Sequence, residues 1–202
     1  MHPPLTDFFA LMVIDLALCA VCLWVVRRGR YASPVPGWVM ILFFAGWWLP
    51  TGSAGLPVVA YVRGISADLS ITMLVVACLS LRQRLAGSVV IEKRESEAVL
   101  FTVAAAAIFL YPLALGIGNW DPYRLGWGTL GMWSACLVSG LIFWVFQFRL
   151  LAVTLSLALL AWTAGLMEST NFWDYLIDPW LSVWALGCVF LKWARRLLGA
   201  SQ

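Results

Sequence analysis

The sequence predicts an all-α membrane protein, a polytopic bundle of about seven transmembrane helices that forms one integral membrane domain over residues 1–202. Hydrophobic residues make up 63% of the 202 residues and charged residues only 11%. A soluble domain carries about 25% charged residues. So much apolar surface has no place in water, which indicates that lipid surrounds the chain.

The positions of the cations predict how the chain lies in the membrane. Of thirteen Lys and Arg residues, all but Arg63 and Arg124 fall in every second gap between the apolar runs. Short loops rich in Lys and Arg stay cytoplasmic. We therefore predict a bacterial-type inner-membrane protein with its N-terminus outside and its C-terminus in the cytoplasm. The sorted cations are Arg27, Arg28, Arg30, Arg82, Arg84, Lys93, Arg94, Arg149, Lys192, Arg195 and Arg196.

Most of the apolar segments reach the roughly 17–25 residues that cross the hydrocarbon layer. Segment 36–51 is short, but the sorting of the cations requires it to cross. The stretch 52–65 is apolar yet broken by Gly and Pro, so we predict a re-entrant or interfacial segment. Ser66 is predicted to cap the next helix, with Asp68 in its first turn. The segments are approximately 7–26, 36–51, 66–82, 97–117, 128–147, 149–167 and 179–194.

Residue usage excludes several kinds of chemistry. The five cysteines all lie inside apolar runs, which argues against a disulfide framework. The single histidine, His2, excludes a multi-histidine metal site, a His-ligated haem and a histidine-activated nucleophile. No Gly-rich phosphate loop, nucleophile elbow or metal-ligand spacing is present, so no metal, cofactor or reaction is predicted. The short basic clusters do not form the stripe that nucleic-acid binding needs.

The predicted outer side is rich in acidic and aromatic residues and holds both unsorted arginines. Aromatic faces beside Asp, Asn and Arg suit a sugar or a lipid headgroup, and arginine suits a phosphate. The alternative is an ordinary aromatic belt with loop charges. The residues predicted to bind a ligand or partner are Arg63, Asp68, Trp120, Asp121, Tyr123, Arg124, Glu168, Asn171, Trp173, Asp174 and Asp178.

Two outer loops have similar sequences. Residues 119–123 read Asn-Trp-Asp-Pro-Tyr, and residues 171–175 read Asn-Phe-Trp-Asp-Tyr. The last four helices are thus candidates for two related hairpins with matching outer loops. We expect the two loops to lie side by side, and Arg124 to pair there with Glu168 or Asp174.

Asp15, near the middle of the first apolar segment, supports two readings. A carboxylate at this depth is costly and is often functional, so Asp15 is a candidate ion or proton site. Alternatively, it is protonated and bonded to a neighbouring helix. Cys19 and Cys22 form a C-x-x-C pair, which a thiol–quinone redox protein uses, but small residues also let helices pack closely.

Part of the chain resembles a known family. The stretch from Tyr61 to Ile71 (YVRGISADLSI) resembles the Gly-x-x-x-Asp-Leu-Ser segment in the membrane domain of lipoteichoic-acid-synthase-like phosphoglycerol transferases. The stretch from Asp121 to Gly126 is similar to an acidic-Tyr-Arg segment before a later helix there. Catalysis in that family belongs to an extracellular sulfatase-like domain, which this sequence lacks. The resemblance therefore implies an envelope-lipid or glycan setting without transferase chemistry.

The sequence as a whole predicts an accessory protein of the inner membrane. Its outer, periplasmic face would bind a lipid-linked, glycan or protein partner in envelope biogenesis. The predicted partners are membrane lipid and a membrane protein or a second copy of the chain. One alternative is a small transporter or ion-coupled carrier that uses Asp15. A weaker alternative is a thiol–quinone redox protein that uses Cys19 and Cys22.

Overall fold

The computed structural model describes residues 3–26 and 34–199. Helices cover 75% of these residues, which confirms the all-α class. The predicted basic residues Arg27, Arg28 and Arg30 lie outside the described part of the chain. The α-helices are α1 (Pro3–Val26), α2 (Gly37–Trp47), α3 (Val58–Ser66), α4 (Ile71–Ala86), α5 (Lys93–Ala114), α6 (Leu130–Val145), α7 (Arg149–Thr163), α8 (Phe172–Leu176) and α9 (Pro179–Leu197).

Each predicted apolar segment overlaps one of the helices α1, α2, α4, α5, α6, α7 and α9, but these helices differ in length. The segments Leu5–Val26 and Lys93–Ala114 are long and apolar enough to cross a membrane, whereas α2, α6 and α7 are apolar but shorter. The 11 residues of α2 rise about 16 Å, against a hydrocarbon layer of about 30 Å. Residues 3–26 and 34–199 therefore contain two candidate membrane spans, and seven crossings stay a prediction.

The long helices pack as neighbours around α7. Helix α1 runs along α4, α5 runs along α9, and α7 contacts α4, α5 and α6. Val103, Leu151 and Leu181 belong to a core that α5, α7 and α9 share. Cys19 and Leu81 belong to a second core, between α1 and α4. Apolar side chains thus join the helices into one bundle.

Acidic residues from distant parts of the sequence meet at one end of this bundle. Asp7 near the start of α1 and Glu168 after α7 both bind Arg63. Asp178 before α9 binds Ser70 before α4. We call this the acidic end, defined by Asp7, Asp68, Glu168, Asp174 and Asp178.

The opposite ends of the same helices form the basic end, defined by Arg84, Arg94, Arg149 and Lys192. The Arg84 guanidinium donates to the Leu23 carbonyl at the end of α1, 3.4 Å away. Arg94 donates to the Phe146 carbonyl just after α6. Among the described residues, most cations therefore lie at the basic end, as the sorting in the sequence predicts, although Glu95 and Glu97 lie there with them.

The segment between α2 and α4 differs from the prediction in detail. In this segment a small antiparallel hairpin of β1 (Pro50–Thr51) and β2 (Leu56–Pro57) precedes α3. Elsewhere in the chain, a 3₁₀ helix (Pro122–Trp127) lies between α5 and α6. The predicted cap, Ser66, is wrong because Ser66 is the last residue of α3, and Asp68 precedes α4 rather than lying in its first turn. Ser70 caps α4 instead, and its hydroxyl accepts from the Met73 amide.

Candidate functional site

Arg63 is the centre of the acidic end. Its Nη1 lies 2.6 Å from Asp7 Oδ1, its Nε lies 3.0 Å from Asp68 Oδ1, and its Nη2 lies 2.7 Å from Glu168 Oε1. Burial lowers the pKa of Arg63, but the three carboxylates outweigh it, so the pKa lies above its ordinary value. One guanidinium thus joins α1, α3 and the segment after α7.

Asp178 joins the starts of α4 and α9. Its Oδ2 accepts from the Ser70 hydroxyl at 2.7 Å and from the Ser70 amide at 3.2 Å. Its Oδ1 accepts from the Leu181 amide at 2.9 Å, which caps α9. Asp178 is only 3% exposed. The charge is therefore held in the interior by three donors at two positive helix ends.

The two similar loops lie side by side, as predicted. The Tyr123 hydroxyl donates to Asp174 Oδ2 at 2.8 Å, and the side-chain amide of Asn171 donates to the Tyr123 backbone carbonyl at 2.8 Å. The Trp173 indole donates to the Pro122 carbonyl at 3.0 Å. Burial and the bond to Asp174 raise the pKa of Tyr123 to about 12. The hydroxyl therefore keeps its proton and remains a donor at neutral pH.

The loops also begin their short helices in the same way. Asp121 precedes the 3₁₀ helix and accepts from the Tyr123 amide, two residues on. Asn171 precedes α8 and accepts from the Trp173 amide, again two residues on. Both are side-chain caps of a type that Asp and Asn favour. The similarity of the two sequences thus extends to their local conformation.

The predicted ion pair of Arg124 is wrong. Arg124 is exposed, and within residues 3–26 and 34–199 no carboxylate oxygen lies within 4.0 Å of it. Glu168 pairs with Arg63, and Asp174 accepts from the hydroxyls of Tyr123 and Ser169. The 3₁₀ helix buries its Pro122 and Gly126 positions, which turns Arg124 between them outward.

A cleft with a volume of 780 Å³ opens at the acidic end. It brings together five of the predicted binding residues, which are Arg63, Asp68, Glu168, Asp174 and Asp178. The other predicted residues, which are not among those that line the cleft, are Trp120, Asp121, Tyr123, Arg124, Asn171 and Trp173.

Sequence reasoning missed other residues of this cleft. Asp7, Tyr111, Met167 and Ser169 line it as well. Asp7 could have been found, because it is an acid at the predicted outer end of the first apolar segment. Tyr111 and Met167 gave no such signal, since aromatic and apolar residues are common in every segment of this chain.

Asp15 lies away from the cleft, inside the bundle. It is fully buried, and its oxygens accept from the Trp48 indole at 2.6 Å and from the Cys19 thiol at 3.4 Å. Its partners are therefore an indole and a thiol rather than a serine, a threonine or a carbonyl. Cys19 and Cys22 are free thiols, and Cys19 is fully buried.

Comparisons of this chain with protein-family models, with curated proteins and with solved structures find no match. The fold and the site alone therefore define the class of protein to which this chain belongs. It is a helical protein whose described part has two candidate membrane spans and an acidic cleft at one end of the bundle.

Proposed function

We propose that this chain is a multi-pass protein of the bacterial inner membrane, with seven crossings, its N-terminus outside and its C-terminus in the cytoplasm. The concentration of cations at the basic end supports this orientation, because cation-rich loops stay on the cytoplasmic side. Helix α6 supports the crossing, since only Met132 and Cys136 of its 16 residues are buried. Lipid would cover the remaining apolar surface of such a helix.

The second part of the proposal is an accessory role in which the cleft binds the polar part of a lipid-linked, glycan or protein partner. The observation that carries it is the 780 Å³ cleft itself, because a pocket of this size with convergent polar groups is the usual form of a ligand site. On the proposed orientation the cleft opens at the outer surface. A partner anchored in the outer leaflet would reach it from the membrane.

The charges around the cleft favour some ligand groups over others. Five carboxylates and one guanidinium line it, and Arg63 is already engaged by three of the carboxylates. An incoming phosphate would meet mostly negative charge. Hydroxyl and amino groups can donate to the carboxylates, so a glycan or an amine-bearing headgroup suits the cleft better than a phosphate.

The resemblance to phosphoglycerol transferases fits the same proposal. Arg63 and Asp68 both belong to the stretch that resembles the membrane domain of that family, and both line the cleft. An envelope-lipid setting is thus part of the proposal. A carrier that uses Asp15 and a redox protein that uses Cys19 and Cys22 have less support, because Asp15 and Cys19 are fully buried and do not line the cleft.

Substitution of Asp174 by asparagine is expected to reduce the bound ligand. The amide oxygen can still accept from Tyr123 and Ser169, but the charge that faces the ligand is lost. A hydrogen bond to a charged group contributes about 1.5–3 kcal/mol, so we expect at least a tenfold loss, roughly, of the co-purifying molecule. The measurement is mass spectrometry of lipid and glycan that co-purify with the protein from mild detergent.

The matched control is Arg124→Gln, which changes an exposed charge at the same end of the bundle but outside the cleft. It should retain the ligand content of the unsubstituted protein. Equal ligand content in Asp174→Asn and Arg124→Gln would show that the cleft is not the binding site.

A further inference from the structure

Helix α3 is attached to the bundle by few apolar contacts. Only Val59 of its nine residues is buried, where it joins a small core with Val13 and Ile14 of α1. The Tyr61 hydroxyl donates to the Thr51 carbonyl, but both residues belong to the segment between α2 and α4, so this bond does not attach α3 to the rest of the bundle. The half-buried Val62 packs against the same core, so two valines provide the apolar attachment of α3 to α1. A helix with so small a buried face opens more easily than one with a continuous buried face.

The same short helix forms one wall of the cleft. Its cleft-facing positions are Ala60, Arg63, Gly64 and Ser66, and Ala67 follows directly. The opposite wall comes from Asp7 of α1 and from the segments on either side of α8. Any movement of α3 relative to α1 would therefore change access to the cleft.

The ion pairs of Arg63 across the cleft are unequal. The side chains of Arg63 and Asp68 are 19% and 12% exposed, and Asp68 also accepts from the Glu168 amide. The side chains of Asp7 and Glu168 are 49% and 64% exposed. Exposed ion pairs are weak and are screened by salt. The pairs with Asp7 and Glu168 are thus the two weakest of the three and the first to break when α3 moves.

Backbone strain lies at the end of α3. Ala67 has a φ of 56° and a ψ of −159°, a combination that residues other than glycine rarely adopt. A change of Ala67 to negative φ would release this strain and would swing α3 relative to α4.

We propose that α3 is a lid over the cleft, with Ala67 as its hinge and the exposed pairs of Arg63 with Asp7 and Glu168 as its clasp. The lid rests on the proposed function, because it regulates access to the proposed ligand site. In its closed position α3 retains a ligand in the cleft. In its open position it admits a ligand from the outer surface.

The test measures how fast a cysteine inside the cleft reacts. Ile177 is 5% exposed and lines the cleft, so Ile177→Cys in the full chain reports each opening of the lid. An uncharged maleimide is used on purified protein, and peptide mass spectrometry reads position 177 separately from the five native thiols. The double change Asp7→Asn and Glu168→Gln should raise the reaction rate at least twofold, roughly, because it removes both exposed pairs.

Two further measurements test the separate roles of the ion pairs and of Ala67. In the Ile177→Cys protein without other changes, about 1 M salt should also raise the rate by screening the clasp. Ala67→Gly should lower the rate at least twofold, roughly, because glycine removes the strain that favours opening. A second reporter, Ile91→Cys at the basic end, should respond to none of these changes, which separates lid opening from general loosening.

Rates at position 177 that are the same in all variants and at both salt concentrations would overturn the lid. A parallel rise at positions 91 and 177 would overturn it as well, because the whole bundle would then be loosening. Since the reaction needs no bound ligand, the lid can fail while binding in the cleft stands, and binding can fail while the lid stands.

Discussion

Replacement of Gly126 by alanine is expected to separate the 3₁₀ helix from α8 and to destabilise the acidic end. A Cβ at this position would lie 2.6 Å from Asn171 Cγ and 2.8 Å from Trp173 Cδ1. Asn171 is 1% exposed and cannot retreat without losing its bond to the Tyr123 carbonyl. Overpacking costs about 1–3 kcal/mol and each lost hydrogen bond about 1 kcal/mol, so we expect a loss of about 3 kcal/mol in the free energy of unfolding.

Thermal unfolding in detergent measures this loss. Gly187→Ala is the matched control, because Gly187 lies within α9 and a Cβ there would meet nothing within 4 Å. Alanine is the better helix former, so this control should be neutral or slightly stabilising. If Gly126→Ala unfolded at the same temperature as Gly187→Ala, the close packing of the two loops would be refuted.

Substitution of Asp178 by alanine should have a similarly large effect. The change leaves the Ser70 amide, the Ser70 hydroxyl and the Leu181 amide without their acceptor. Ser70 is fully buried, so water does not replace the lost bonds. An unsatisfied buried donor costs about 1–3 kcal/mol and a lost cap about 1 kcal/mol, so we expect a loss of about 3 kcal/mol or more.

Asp121→Ala provides the comparison, because Asp121 is likewise an Asp before Pro at the start of a helix. Among the described residues its side chain accepts from the Tyr123 backbone amide alone, and it is not fully buried. Its loss should cost about 1 kcal/mol. Equal unfolding temperatures for Asp121→Ala and Asp178→Ala would contradict the account of Asp178 as a link between α4 and α9.

The features that could be predicted from the sequence depend on composition and on local pattern. Apolar runs predicted where the long helices lie, because a run of such residues needs a helix to satisfy its backbone in a dry environment. The alternation of cations predicted that most of them would lie at one end of the bundle. The similar sequences of 119–123 and 171–175 predicted that the two loops would lie side by side, and bonds from Tyr123 to Asp174 and from Asn171 to Tyr123 join them.

The features that could not be predicted depend on contacts between distant residues. Arg63 and Arg124 looked equivalent in the sequence, and only the packing of α3 against α1 places Arg63 beside Asp7, 56 residues away. The bond from Trp48 to Asp15 likewise joins residues 33 positions apart. Ser66 was predicted as the cap of α4, but α3 continues to Ser66, the positive φ of Ala67 follows it, and Ser70 caps α4.

The orientation of the acidic end is the claim on which the proposed function depends most directly. Exposed reporter positions are available at both ends, with Ser53 and Ile117 at the acidic end and Val89 and Leu198 at the basic end. Single cysteines at these positions in a cysteine-free chain would be treated with a membrane-impermeant thiol reagent in intact cells. We expect reaction at positions 53 and 117 without lysis, and at positions 89 and 198 only after lysis. Reaction at position 89 in intact cells, with protection of position 53, would place the cleft in the cytoplasm and contradict the account.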